Sequence, residues 1–240
     1  AMKRLLAADS GDIFQICKAF RHDEVSKTHN PEFTMLEWYR VDFDHHQLMD
    51  EMDALLQTLL NTNRPADRLT YQAVFEKTLA INPHTASIDD LKQCAAQHAL
   101  SIEGTLTKDE WLDVLFTHLI QDALQDVTFI YDYPASQAAL ARINNGVAER
   151  FEVFAKGHEL ANGFHELANA NEQRSRFEND LSKRETLGLS PLPIDENLLA
   201  ALEQGLPDCA GVALGIDRLI MLMLDLKHIK DALSFNVDNA

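Results

Sequence analysis

Cysteine is scarce: Cys17, Cys94 and Cys209 are odd in number and widely scattered through 240 residues. That excludes a disulfide framework and points to reduced thiols and a cytoplasmic setting. Long apolar runs are missing as well. No stretch approaches the roughly 20 residues that span a bilayer, and no secretory signal is visible, so no membrane partner is expected. Positive charge is in short supply: 21 Lys and Arg stand against 38 Asp and Glu, a formal net charge of −17. Without a dense Lys/Arg run, a polyanion such as tRNA meets general repulsion and is disfavoured as the main partner. There is no G-x-x-x-x-G-K-[ST] loop, so any bound nucleotide must be held by another device. There is no internal repeat of solenoid period either.

What is present fits one main domain, with 46% hydrophobic and 25% charged residues. Residues 12–21, DIFQICKAFR, and the run EFTMLEWYRVDF read as two strands of a wide antiparallel hairpin. HHQLMDEMDALLQTLL follows as a helix, with Leu48, Met49, Met52, Leu55, Leu56 and Leu59 in a 3.6-residue stripe. Residues 70–122 read as a small, mostly helical insertion, with start signals at Ser87-x-x-Asp90 and Thr107-x-x-Glu110. Strand signals return at VTFIYDYP, FEVFA and GHELANGF; two polar helices follow, and CAGVALG then passes into the apolar helix IDRLIMLML. Strands and helices without regular βαβ units predict an α+β fold on one antiparallel sheet.

Residues 158–169 read HELANGFHELAN, one word written twice. A zincin needs H-E-x-x-H on one helix face, but His158 and His165 are seven apart with Gly163 between, so zinc is not expected here. Glu152, Glu159 and Glu166 recur every seven residues, which would suit a surface helix, yet Gly157, Asn162 and Gly163 weaken one. A hairpin turning at Lys156-Gly157 fits better and sets Glu152 and Glu159 face to face on adjacent strands. Two such carboxylates suit a hard cation such as Mg²⁺ with its phosphates, or else ion pairs with neighbouring Arg or Lys. Arg21 closes the first strand beside a loop carrying His29, Asn30 and Phe33, and Arg218 follows GVALGID at a strand-to-helix turn. Guanidinium on phosphate and ring on base are the contacts such groups make with a nucleotide.

FRHDE…HNPEFTMLEWY, FEVFAKGHELANGFHEL and GVALGIDR together resemble the class II aminoacyl-tRNA synthetases of the lysine branch. Within it the likeness is greatest to the short paralogues that ligate (R)-β-lysine to elongation factor P, and Ala213, where lysyl-tRNA synthetases carry glycine, is a mark of that group. The resemblance implies an antiparallel sheet of six or seven strands flanked by helices, spanning residues 2–240. It implies ATP held by Arg21, His22, Asp23, His29, Asn30, Phe33, Glu152, Glu159, Leu160, Gly215 and Arg218, with Arg21 and Arg218 catalytic and Mg²⁺ on Glu152 and Glu159. Glu37, Tyr39, Asn162, Gly163, Glu166 and Ala213 would surround a lysine-like amino acid. His158 and His165 receive no role.

The implied reaction is adenylate formation from ATP, followed by transfer to a lysine side chain of elongation factor P. A tRNA-charging enzyme or a silent nucleotide-binding paralogue are the alternatives. The motif departs from Phe-Arg-x-Glu at Asp23. The chain opens at Met2-Lys3-Arg4-Leu5-Leu6, inside that family's catalytic domain. The resemblance therefore leads us to expect that a dimer-interface motif and a serine-bearing segment are missing, and that this chain folds but catalyses poorly. It also implies a homodimer for the full-length protein.

Overall fold

The computed structural model describes residues 1–22 and 25–237. A short helix α1 (Met2–Ala7) precedes the hairpin β1 (Ile13–Phe20) and β2 (Glu32–Val41), then α2 (His45–Leu59). β3 (Asp67–Thr70) leads into α3 (Tyr71–Leu79), α4 (Ile88–Gln97) and α5 (Lys108–Leu115), and a π-helical turn, Phe116–Ile120, closes that segment. β4 (Thr128–Pro134), β5 (Ile143–Asn144), β6 (Val147–Ala155) and β7 (His158–His165) follow. The chain continues through α6 (Ala170–Thr186), α7 (Glu196–Gly205), β8 (Cys209–Gly215) and α8 (Ile216–Leu224).

The strands form one sheet in the order β1-β2-β8-β7-β6-β4-β3, with β5 paired to β6. All pairings are antiparallel except β3 with β4. That exception departs from the expected all-antiparallel sheet. Its cause is the connection: three helices separate β3 from β4, and a chain that crosses over returns in the same direction.

Capping explains where several helices begin. Asp44, Ser87 and Thr107 each form a capping box, accepting from the N3 backbone while the N3 side chain reaches back. The α2 stripe buries Leu48, Met49, Met52 and Leu56, whereas Leu59 lies at the surface. The Lys156-Gly157 turn appears where the sequence predicts it, with φ of +49° and +75°. Two successive left-handed residues match the twist of the strands they join.

Side-chain alternation divides the sheet into two faces. On one, Ala210, Val212 and Leu214 of β8 join Phe129, Phe151, Val153 and the α2 stripe in a core cluster. On the other, beyond Cys209, β8 presents only Gly211, Ala213 and Gly215. The helices of 70–122 pack over this second face at its far end, against Ile130, Tyr133 and Phe154. At the near end α1 and α7 cover Tyr39 and Cys209. A groove is left between.

Gly163 points to the core face. A Cβ there would fall within the ring of Phe151, which is completely buried and opposite in register. Gly163→Ala should therefore destabilise the fold by about 2 kcal/mol, a fall in Tm of about 4–8 °C. An unchanged melting temperature would show that Phe151 can yield.

Candidate active site

One row of paired residues crosses the sheet on the groove face: Gln15, Glu37, Ala213, Asn162, Glu152 and Ile130. Glu37, Asn162 and Glu152 therefore stand in line across three strands, with the small Ala213 leaving room between the first two. Arg21, His29, Asn30, Phe33, Glu159, Leu160, Asn162, Ala213, Gly215 and Arg218 all line one groove. Of the nucleotide residues named from the sequence, His22 is exposed outside this lining. Asp23 lies outside the described residues.

Arg218 is fixed before any ligand arrives. Its guanidinium donates to the carbonyls of Thr28 (3.2 Å) and Glu159 (2.7 Å) and to His29 Nε2 (2.6 Å). Because Nε2 of His29 accepts, its Nδ1 carries the proton and faces Ser26 Oγ at 2.7 Å. The histidine is thus a strut between the loop and the arginine. Asn30 is a pin rather than a free donor: its amide donates to Glu32 O (2.6 Å) and its oxygen accepts from Val237 N (3.2 Å). Arg21 lies over the Phe33 ring, 5.6 Å from its centroid.

Glu152 and Glu159 do not face each other. Glu159 is opposite Phe154 because the Lys156-Gly157 turn sets that pairing, and Glu152 is opposite Asn162 because a bulge at Leu160 inserts an extra residue into β7 beyond it. Both nevertheless line a second cleft, walled by Tyr71, Phe116 and Gln121 of the helical segment. Glu152 accepts from Arg150, from Tyr133 Oη (2.8 Å) and from Asn162 Nδ2 (3.2 Å). Arg150 is itself stacked 4.6 Å from the Tyr133 ring centroid. Burial, and then the Glu152 carboxylate, push Glu159 up to about 7, against the pull of Arg218, Arg150 and Arg21.

The far end of the row is acidic and closed. Tyr39 Oη donates to Glu37 (2.6 Å), and burial followed by Glu166 and Glu37 raises the Tyr39 phenol above its usual range. Glu166, 2% exposed, meets the ammonium of Lys3 from α1 at 2.5 Å. Burial raises its carboxyl, Lys3 counteracts that, and Glu37 adds to it. Glu37, Tyr39, Asn162, Glu166 and Ala213 thus share the groove face, while Gly163 lies on the other. The two HELAN copies also differ in structure: the first is strand, whereas the second runs from the strand end to Asn169, which caps α6.

Residues 1–239 match the family model of class II tRNA synthetases (D, K and N). The chain is 57% identical to an elongation factor P–(R)-β-lysine ligase of Vibrio atlanticus, over 98% of its own length and 74% of that protein's. The same-named proteins of Photobacterium profundum (54%; 100% and 76%) and Salmonella dublin (51%; 100% and 75%) are similar. The chain belongs to this ligase family within the class II synthetases.

In this ligase-family fold, sequence reasoning overlooked Arg150, Lys3 and Asp217. Asp217 is 5% exposed and its carboxylate accepts from Thr34 N at 2.6 Å, tying α8 to β2. Arg150 alone left a signal, two residues before Glu152 and so on the same face. Lys3 and Asp217 meet partners 163 and 183 residues away, which no local pattern reveals.

The raised Glu159 carboxyl makes stability depend on pH. Below its ordinary value of 4.5 the side chain is protonated folded or unfolded; above 7 the fold holds a charge its surroundings resist. Glu159→Gln should therefore stabilise the protein at pH 8. The side chain keeps 40% exposure, so screening limits the gain to about 1 kcal/mol, or about 2–4 °C in Tm. The gain should fade between pH 7 and 4.5, and an equal difference at pH 8 and pH 4 would contradict it.

Proposed function

We propose that this groove joins a lysine-like amino acid to ATP as an adenylate and passes it to a lysine side chain of elongation factor P. One observation carries the reading: three stretches distant in sequence, carrying Arg21, Glu159 and Arg218, converge on one groove, and the same face of the sheet carries Glu37 and Glu166 farther along. The ligase name borne by the relatives supports the acceptor assignment.

The amino-acid carboxylate attacks the α-phosphorus and pyrophosphate leaves. The nucleophile is already ionised, so no general base is required, and positioning with charge compensation supplies the catalysis. Arg21 meets the α-phosphate, Phe33 stacks on adenine, and Arg218, held by His29 and two carbonyls, covers the other side of the nucleotide. The arrangement of Arg218 costs nothing at the moment of reaction because it is made beforehand. Glu152 and Glu159 fit a hard cation: their oxygens are its preferred donors, and proximity and burial raise the Glu159 carboxyl. Bound there, Mg²⁺ would offset triphosphate charge. At the other end Glu37, Tyr39 and Glu166 receive the substrate's ammonium groups. An alkylammonium already lies 2.5 Å from Glu166, that of Lys3.

A tRNA acceptor fits less well, since a net charge of −17 repels a polyanion. The protein reading predicts pyrophosphate exchange dependent on ATP and on lysine or (R)-β-lysine, and a mass increase on elongation factor P but no charging of tRNA. Charging of tRNA with no change in elongation factor P would overturn it. Glu159→Gln should weaken Mg-ATP binding and nearly abolish exchange; calorimetric affinity equal to the parent's would remove the carboxylate from the metal site. Ala213→Gly should shift preference toward α-lysine by about 10-fold or more, since one methyl group can supply ~1–3 kcal/mol of discrimination. An unchanged lysine to (R)-β-lysine ratio would contradict that role.

A further inference from the structure

The core face of the sheet carries a second polar cluster, beneath the start of α2. His165 is sandwiched between two carboxylates: Nδ1 lies 2.5 Å from Glu149 and Nε2 lies 2.8 Å from Asp208. A neutral imidazole has one N–H and can serve only one of them. The other contact sets a lone pair against an anion unless a second proton or a cation lies between. His45, the first residue of α2, is 5% exposed, and neither of its ring nitrogens has a hydrogen-bond partner among the described residues. A buried polar group left unpaired is costly, and here both faults meet in one place. One ligand atom each from His45, Glu149 and His165 lies within 4.8 Å of the others.

We propose that His45, Glu149 and His165 form a divalent metal site of the zinc class, separate from the groove. Two imidazoles and one carboxylate suit a borderline cation such as Zn²⁺ better than Mg²⁺, which prefers oxygen donors and water. With bonds of about 2.0–2.1 Å, a tetrahedral ion sets its donors about 3.3 Å apart, so side-chain rotation of an ångström or so closes the present arrangement. The surroundings complete it. Asp208 accepts from Nε2 of His165 and leaves Nδ1 free for the ion, the carboxylate–histidine–metal relation common at such sites. Asp132 stands 3.6 Å from His45 Nε2 and adds negative charge. Arg142, 2.5 Å from Asp208, and the positive end of α2 oppose the cation. The ion would clamp α2 to β6 and β7 on the side of the sheet away from the groove.

Cobalt(II) is the probe, since its visible spectrum reports coordination and zinc displaces it. After treatment with chelator, the parent should bind one equivalent with the absorption of a four-coordinate ion, and zinc should raise its Tm. Asp208→Asn should lower affinity about 10–100-fold, as loss of an outer partner does. His45→Ala and Glu149→Gln should lower it further and abolish the spectrum. Glu149→Gln is nearly isosteric, and far-ultraviolet circular dichroism of each metal-free variant checks that it is folded. No bound equivalent in the parent, or equal affinity in folded His45→Ala and Glu149→Gln, would overturn the site.

Discussion

Everything in the groove depends on side chains that β8 does not have. Its sequence alternates Gly211, Ala213 and Gly215 on one face with Ala210, Val212 and Leu214 on the other. The larger set joins the α2 core, and the smaller set leaves the middle of the sheet bare. A Cβ at Gly211 would collide with the Tyr39 ring and the Glu166 carboxylate, so their closeness to the sheet requires that glycine. Ala213 separates Glu37 from Asn162 by one methyl group. At Gly215 the nearest atom a Cβ would meet is the Leu160 carbonyl at 3.6 Å, so the glycine leaves open space rather than avoiding a clash. One strand thus anchors the core and opens the site.

Charge is arranged locally against the global balance. A chain with a net charge of −17 is a poor anion receptor overall. Yet Arg21 and Arg218 stand in the groove and Arg150 in the adjoining cleft. Each is held by neighbours: Arg150 by Glu152 and the Tyr133 ring, Arg218 by two carbonyls and His29, Arg21 over Phe33. Preorganisation of this kind removes the cost of ordering long side chains when a phosphate binds. The carboxylates divide in two. In the proposed reading Glu152 and Glu159 meet phosphate and cation charge, while Glu37 and Glu166 meet ammonium groups.

Much of the local structure was legible because short-range chemistry wrote it: the helix starts at Ser87 and Thr107, the Lys156-Gly157 turn and the α2 stripe, whereas the convergence of Arg21 and Arg218, distant in sequence, followed only from the family resemblance. What escaped was long-range or register-dependent. The turn at Lys156-Gly157 pairs Glu159 with Phe154 rather than Glu152, and the bulge at Leu160 then sets Asn162 opposite Glu152; period-2 alternation carries no mark of that extra residue. The parallel β3–β4 pairing depends on a crossover rather than on strand composition. Gly163 was read with its groove neighbours, yet alternation turns it toward Phe151. His165 carries no metal signal in the sequence because its spacing from His158 does not form a zincin motif; its spatial neighbour His45 is 120 residues away and reaches it only through the fold.

The central claim is that one ligand spans the groove, with nucleotide at the Phe33–Arg218 end and amino acid at the Glu37–Glu166 end. A crystal structure with a non-hydrolysable (R)-β-lysyl-adenylate analogue tests it most directly. The account predicts adenine against Phe33, the acyl-phosphate linkage passing over Ala213 and Gly215, and the analogue's ammonium groups within hydrogen-bond reach of Glu37 or Glu166. An analogue bound with its amino-acid end toward Arg218, or outside the groove, would contradict it.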